Sequence, residues 1–236
     1  MKKFLLLIIS IFFLYGENEY VCPNPRDYSI RFQTNTTGNI KIIGNINVCK
    51  KGDNGKCEAL SDNTTNNKVN IMYKDGDQNK ITKNSSAAKL ILPAGSKVLW
   101  AGLYWQGYLY DKNNNVKYES KKVLLGYQTL KEFNSTKLVN YENIYADNYN
   151  YVYFNAKRMY YQGFKDITNY VKNHKNGWYW VGNIITSIGK PPGGSYGGWA
   201  IALVYQDKNE KLKNLVIYDG YHGIVTQTMK KMQKIM

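Results

Sequence analysis

K-V-L-W-A-G-L-Y-W-Q-G-Y-L-Y, residues 97–110, is the stretch on which the reading of the fold turns. Taken with period two, it puts Val98, Trp100, Gly102 and Tyr104 on one face and Leu99, Ala101, Leu103 and Trp105 on the other. Both faces are apolar, which predicts a strand covered on both sides instead of one with a wet face. Gly102 and Gly107 argue against a helix and mark places where a backbone or a bulky ring comes close. A strand of this composition needs a sheet beside it and a second layer over it.

Short strands separated by turn residues continue on both sides. Alternation predicts strands at 28–32 and 39–48, the second with Ile40, Ile42, Ile46 and Val48 on one face. Further strands are expected at 69–73, 89–92, 121–127, within 141–161, at 177–187, 199–205 and 212–218, with 111–115 read as a turn. One short helix is expected near 167–176, with Asp166 and Thr168 supplying caps and Gly177 the stop. The pattern is all-β: an antiparallel sandwich, jelly-roll-like, carrying one short helix. An outer-membrane barrel fits poorly, because the strongest strands do not alternate between an apolar and a polar face.

Met1-Lys2-Lys3 followed by the apolar run 4–14 reads as a signal peptide, residues 1–16, with Gly16 before the cut. An uncleaved N-terminal anchor is the alternative; after cleavage no membrane span is expected. Export, to the periplasm, cell surface or exterior, permits a disulfide. Cys49 and Cys57 flank a short polar loop and form the expected pair, although counting equally allows Cys22–Cys49 and Cys22–Cys57. The remaining organisation is an N-terminal extension at 17–67 with the Cys loop, a sandwich at 68–223 and an atypical tail at 224–236. That tail reads as a short helix or as the end of a shortened frame. A net charge of +15 raises the question of nucleic acid, but only Arg26, Arg31 and Arg158 are arginines and the lysines are dispersed among Asn. Arginine is the side chain suited to phosphate and base contacts, so no nucleic-acid partner is expected.

The run 80–105, followed in order by F-K-D-I-T-N-Y-V (164–171), G-W-Y-W-V-G-N-I (177–184), G-G-W-A-I-A-L-V-Y (197–205) and L-K-N-L-V-I-Y-D-G-Y-H-G (212–223), resembles the N-terminal module of large bacterial cell-surface, adhesin-like proteins with extracellular repeats. The resemblance covers about residues 68–223. It implies an exported β-sandwich with a binding or structural role, no catalysis, and cell-envelope components, host or neighbour surface ligands, or glycans as partners.

Several residue sets invite chemical readings. Gly193-Gly194-Ser195-Tyr196-Gly197 matches the G-x-S-x-G nucleophile elbow of hydrolases, for which Ser195 would be the nucleophile. That motif needs a strand before and a helix after; here Pro191-Pro192 precede and a strand follows, so a glycine-rich loop is expected. His222 lies only three residues from Asp219. Asp75, Asp77 and Asn79 have the D-x-D-x-N spacing of calcium loops, but Lys80 and Ser86 exclude an EF-hand. An Asx turn is the plainer expectation, and a different calcium geometry the sharper one. Calcium is the one cofactor the sequence suggests. Glu132-Phe133-Asn134-Ser135-Thr136 makes Asn134 the glycosylation candidate, with weaker sequons at Asn35, Asn63 and Asn84. Trp100, Trp105 and Trp199 read as core; the tyrosines of 141–161 read as an exposed contact surface. A lectin-like module is thus the alternative to a general adhesive role, and a hydrolase using Ser195 the second alternative.

Overall fold

A computed structural model describes residues 21–59, 66–110, 114–155 and 157–222. The expected leader and the tail beyond His222 lie outside the described residues. In chain order the first elements are β1 (Val21–Asn24), β2 (Arg26–Ile46), β3 (Val48–Lys51), β4 (Cys57–Glu58), β5 (Ile71–Tyr73) and β6 (Ser85–Leu90). Then come β7 (Lys97–Tyr110), α1 (Asn114–Glu119), β8 (Lys122–Gln128), β9 (Asn140–Tyr145), β10 (Asn148–Asn155) and β11 (Arg158–Asp166). The described chain ends with α2 (Thr168–His174), β12 (Gly177–Gly182), β13 (Gly197–Gln206) and β14 (Leu212–Tyr221).

The fold is all-β and antiparallel, as the strand rhythm predicts. β7 is the central strand of a seven-stranded sheet ordered β1-β10-β11-β7-β13-β2-β14, and a four-stranded sheet, β6-β12-β8-β9, packs against it. A small sheet, β4-β3-β5, stands at one end, and the Cys49–Cys57 disulfide ties its first two strands across a Cα separation of 5.5 Å. Between the two main sheets lie Ala101, Leu103, Trp105 and Leu109 of β7, met by Val123 and Leu125 of β8 and Tyr179 and Val181 of β12. Trp105 is 1% exposed, and its indole N–H donates to Ser120 O at 3.0 Å, so even its polar atom is satisfied.

The strict alternation expected along β7 fails at one place. β13 pairs Val204 with Trp100 but Tyr205 with Val98, so Leu99 is the extra residue of a bulge. Val98 therefore joins Ala101 and Leu103 inside the sandwich, while Leu99 and Trp100 turn to the opposite face. Trp100 is buried as expected, but not between the two sheets.

That opposite face has its own cover. The two short strands expected at 28–32 and 39–48 are one strand, β2. Its second half (38–46) pairs with β13, and its first half (26–37) pairs with β14. The β2–β14 ribbon lies across the outside of the large sheet, placing Phe32, Leu215 and Ile217 on Trp100 and Phe164. Gly38 sits at the handover, where any Cβ would meet Tyr205 O at 2.0 Å. The glycines of β7 serve the same face and its opposite. A side chain at 102 would strike the rings of Phe164 and Trp100, and one at 107 the carbonyl of Ile185 and the ring of Tyr161.

The face assigned to 39–48 holds at its ends, where Ile40 packs against the Trp100 cluster and Val48 is buried among the small-sheet residues, but is inverted between them. Ile43 is the buried isoleucine, whereas Ile42 and Ile46 are 66% and 54% exposed. The reason is that β2 closes the sandwich edge through polar groups. Asn45 Nδ2 donates to Ala87 O of β6 (2.7 Å), and buried Asn47 donates to Asn84 Oδ1 (2.8 Å) and Val181 O (2.9 Å). Ser86 Oγ donates to Asn47 Oδ1 (2.6 Å) and accepts the Trp199 indole N–H (2.9 Å). Asn84, a sequon in the sequence, is fully buried in this network and closed to modification in the folded protein.

α2 forms at the expected place, although Gly177 begins β12 and it is Lys175, at φ 56°, that ends the helix. Thr168 N is capped by Asp166 Oδ1 at 2.8 Å. Of the turn expected at 111–115, residues 111–113 lie outside the described residues and 114–115 open α1; its Val116 packs on the core and its Lys117 ammonium lies 3.9 Å from the Tyr151 ring centroid.

Candidate functional site

Because Tyr179 and Val181 point into the core, Trp178, Trp180 and Gly182 point out of the four-stranded sheet. Register then lays out that outer face in rows. Trp178 is opposite Lys89 and Gln128; Trp180 is opposite Ala87 and Gly126; Gly182 is opposite Ser85 and Leu124. β9 continues the last two rows with Tyr141 and Asn143. Two connections, 129–139 and 74–84, dress this face with side chains.

At one end Phe133 stacks on Trp178, ring centroids 3.7 Å apart and 10° from parallel. Both rings are half-buried. Trp180 is buried beside them and donates to Gln128 Oε1 at 3.0 Å, while Gln128 Nε2 donates to Lys137 O at 2.8 Å. Asn134 belongs to the 3-10 turn Glu132–Asn134 that carries Phe133; its side chain lies outside the described residues. Glu132 accepts from Thr129 N and pairs with Lys137, which hold its carboxyl down at about 2.

In the middle of the face the structure brings Asp75 and Asp77 together and turns Asn79 away. Ser85 Oγ lies 2.9 Å from Asp75 Oδ1 and 2.6 Å from Asp77 Oδ1, and it already accepts the Gly76 N–H at 2.9 Å. One hydroxyl proton thus faces two carboxylates. Thr82 Oγ1 is 3.3 Å from both Oδ1 atoms but closer, 2.8 Å, to Asn79 O. Tyr141 donates its hydroxyl to Asp77 Oδ2 at 2.8 Å. Burial pushes the Asp75 carboxyl up, and the neighbouring Asp77 adds to this against the Ser85 hydrogen bond. Burial, then the bond to Asp77, raises the Tyr141 phenol, keeping it a donor at ordinary pH. Asn79 uses its amide N–H on Val139 O and its Oδ1 on Ile81 N, which is an Asx-turn role. Among the described residues no three His, Cys, Asp or Glu side chains converge as metal ligands.

At the far end, where β8 begins and β12 has ended, Lys83, Lys122, Glu119, Asn143 and Asn183 surround a cleft of about 160 Å³ floored by Leu124 and Ile185. Asn183 is held at φ 60°, its Oδ1 accepting Lys83 N at 2.6 Å and its Nδ2 donating to Ile81 O at 3.3 Å. No sequence pattern announces this cleft; strand register assembles it from five separate segments.

The residues a hydrolase would need are each engaged elsewhere. Ser195 is buried, donating to Ser187 O and lying 3.1 Å from Thr186 Oγ1, in a loop with Gly193 and Gly194 at positive φ. The loop leads into β13, so the strand-turn-helix of a nucleophile elbow is absent here. His222 pairs with Asp27 at 3.0 Å. Asp219 takes Arg26 Nη2 at 2.6 Å, Arg31 Nε at 2.8 Å and the Tyr104 hydroxyl at 2.9 Å. Burial alone raises the Asp219 carboxyl, but these three partners outweigh it and leave it below the usual carboxylate range. His174 bonds the helix carbonyl of Tyr170 at 2.9 Å.

The tyrosine band differs from expectation. Tyr149, Tyr151 and Tyr153 are half-buried against the core under α1, and Tyr149 bonds Ser120 Oγ at 2.6 Å. Tyr145 is the exposed tyrosine of that stretch. No helix among the described residues is long and apolar enough to cross a membrane. Comparison finds no matching family, no matching curated protein and no matching solved structure.

Proposed function

We propose that this chain is an exported, surface-associated β-sandwich that works by binding, without catalysis, and that its contact surface is the outer face of the four-stranded sheet. The leader pattern, the resemblance to N-terminal modules of adhesin-like surface proteins and the Cys49–Cys57 bridge support export. The observation that carries the choice of face is the succession along it of the Phe133–Trp178 stack at one end, the Asp75–Asp77 pair in the middle and the polar cleft at the far end. Flat rings bordered by carboxylates, amides and ammonium groups suit polyhydroxylated ligands, which present apolar C–H faces and many hydroxyls. A glycan and cell-envelope binding screen tests this. The wild type should retain a defined ligand, and Trp178→Ala should weaken it about thirtyfold, as removal of a central aromatic anchor does. Undiminished binding by Trp178→Ala and Phe133→Ala together would contradict the choice of face.

A second reading concerns calcium. Two carboxylates facing one hydroxyl proton are a place where a hard cation would relieve repulsion, with backbone carbonyls and water completing its oxygen shell. Asp75 and Asp77 would be the charged ligands. Calorimetric titration should show uptake by the wild type and none by Asp77→Ala; equal heats for the two proteins would reject it.

A further inference from the structure

We infer that the cleft between Lys83, Lys122, Glu119, Asn143 and Asn183 takes an acidic sugar: a single hexose-sized ring bearing one carboxylate. This rests on the proposed binding face and names the ligand class of one subsite on it.

The argument is one of unused chemistry. Among the described residues, none of Lys83, Lys122 or Glu119 enters an ion pair, although the surface pairs Lys137–Glu132, Lys165–Asp147 and Lys213–Glu210 show that this chain forms such pairs where it can. Two lysines and one glutamate among the residues that line the cleft sum to one net positive charge. Lysine supplies a compact point charge that suits either a carboxylate or a phosphate, but Glu119 at the same cleft repels a dianion more than a monoanion, which favours a carboxylate over a phosphate. The Asn143 and Asn183 amides present donors and acceptors together, which match adjacent hydroxyls that must both give and take a proton. Asn183 is the more rigid of the two. Its left-handed backbone and its bonds to Lys83 N and Ile81 O fix the carboxamide while leaving one amide hydrogen and one lone pair for a ligand. Leu124 and Ile185 provide an apolar floor for the ring's C–H face. The cleft volume, about 160 Å³, is of the order of one sugar ring. The chain's +15 net charge would speed encounter with acidic glycans and make association salt-sensitive.

The test is a two-dimensional amide NMR titration of the disulfide-bonded protein with glucuronate, glucose and acetate in parallel. Glucuronate should shift the amides of 83, 122–124, 143 and 183. Glucose and acetate should each bind about tenfold more weakly, since each lacks half of the contacts. Lys122→Met should weaken glucuronate about tenfold while its spectrum elsewhere stays that of the wild type, which also reports that it folds. Glucose equal to glucuronate would remove the acidic character of the site, acetate equal to glucuronate would reduce it to a lone carboxylate contact, and shifts elsewhere or none would overturn the inference. If Trp178→Ala abolishes glycan binding while Lys122→Met and glucuronate leave the cleft untouched, the inference fails and the binding face stands.

Discussion

The two outward faces of this sandwich differ in how they use their polar groups. Outside the seven-stranded sheet, the β2–β14 ribbon buries Trp100 between Phe32 and Phe164, ring centroids 5.8 and 6.4 Å away. Its charges are turned on one another: Asp219 holds two of the three arginines, Arg31 also lies 4.0 Å from the Phe164 ring centroid, and Arg31 Nη1 bonds Asn148 at 3.0 Å. Outside the four-stranded sheet, Phe133 and Trp178 stay half-buried and Lys83, Lys122 and Glu119 are left without ion pairs among the described residues. A face that spends its polar groups internally contributes stability. A face that leaves them pointing outward has contact chemistry to spare. Changes on the first should therefore alter stability without altering binding, and changes on the second should do the reverse.

The largest effect should come from Trp100→Ala. Removing a buried indole from beneath the ribbon should cost about 3–5 kcal/mol in urea or thermal unfolding. Next, Asp219→Asn strands two guanidinium groups whose side chains are only 19% exposed, and should cost about 2–3 kcal/mol with faster hydrogen exchange in β14. Ser86→Ala, at the edge that joins the two sheets, leaves the Trp199 N–H and Asn47 Oδ1 without their partner and should cost about 1–2 kcal/mol. None of the three should change ligand affinity. Trp178→Ala should show the converse, about 1 kcal/mol or less in stability with the thirtyfold loss of binding described above.

One carboxyl on each face, Asp219 and Asp75, answers to pH with opposite sign, and this is the smallest effect. The Asp219 carboxyl is depressed, so its stabilisation is present above the ordinary value of 3.8 and is lost as pH falls through the lower folded value. The Asp75 carboxyl is raised, so its favourable contribution is complete below 3.8 and is lost as pH rises through the higher folded value. Asp75→Asn should thus melt slightly higher than the wild type at pH 7, with the gap closing toward pH 3. Melting curves across that range check the sign.

How much of this was legible in the sequence depends on which contacts decide each element. The double apolar face of 97–110 is an intrinsic property of the stretch, so the central strand and its two covers could be read directly. The bulge at Leu99 could not, because it is set by pairing with β13. The same holds for β2: Ile40, Ile42 and Ile46 alternate correctly, yet the inner face belongs to Ile43, Asn45 and Asn47, because this edge closes through hydrogen bonds to β6. Apolar alternation cannot reveal a buried face made of asparagines. The N-terminal ribbon was hidden for a related reason, since Thr34 to Gly38 carries no apolar rhythm and gains its order from β14. α1 was not visible because Asn-Asn-Val-Lys-Tyr-Glu is a poor helix former held by tertiary packing of Val116. The Asp75/Asp77 spacing was visible from local sequence. Its partners Ser85 and Tyr141, and the cleft at Lys122 and Asn143, depend on register between distant strands.

The most direct test of the division between the faces is a map of ligand-induced amide shifts on the folded, disulfide-bonded protein, using the tightest glycan or envelope fragment from the screen. Shifts confined to 74–85, 122–143 and 178–183, with 26–37 and 212–221 silent, are the predicted result. Shifts centred on the β2–β14 ribbon instead would contradict the account.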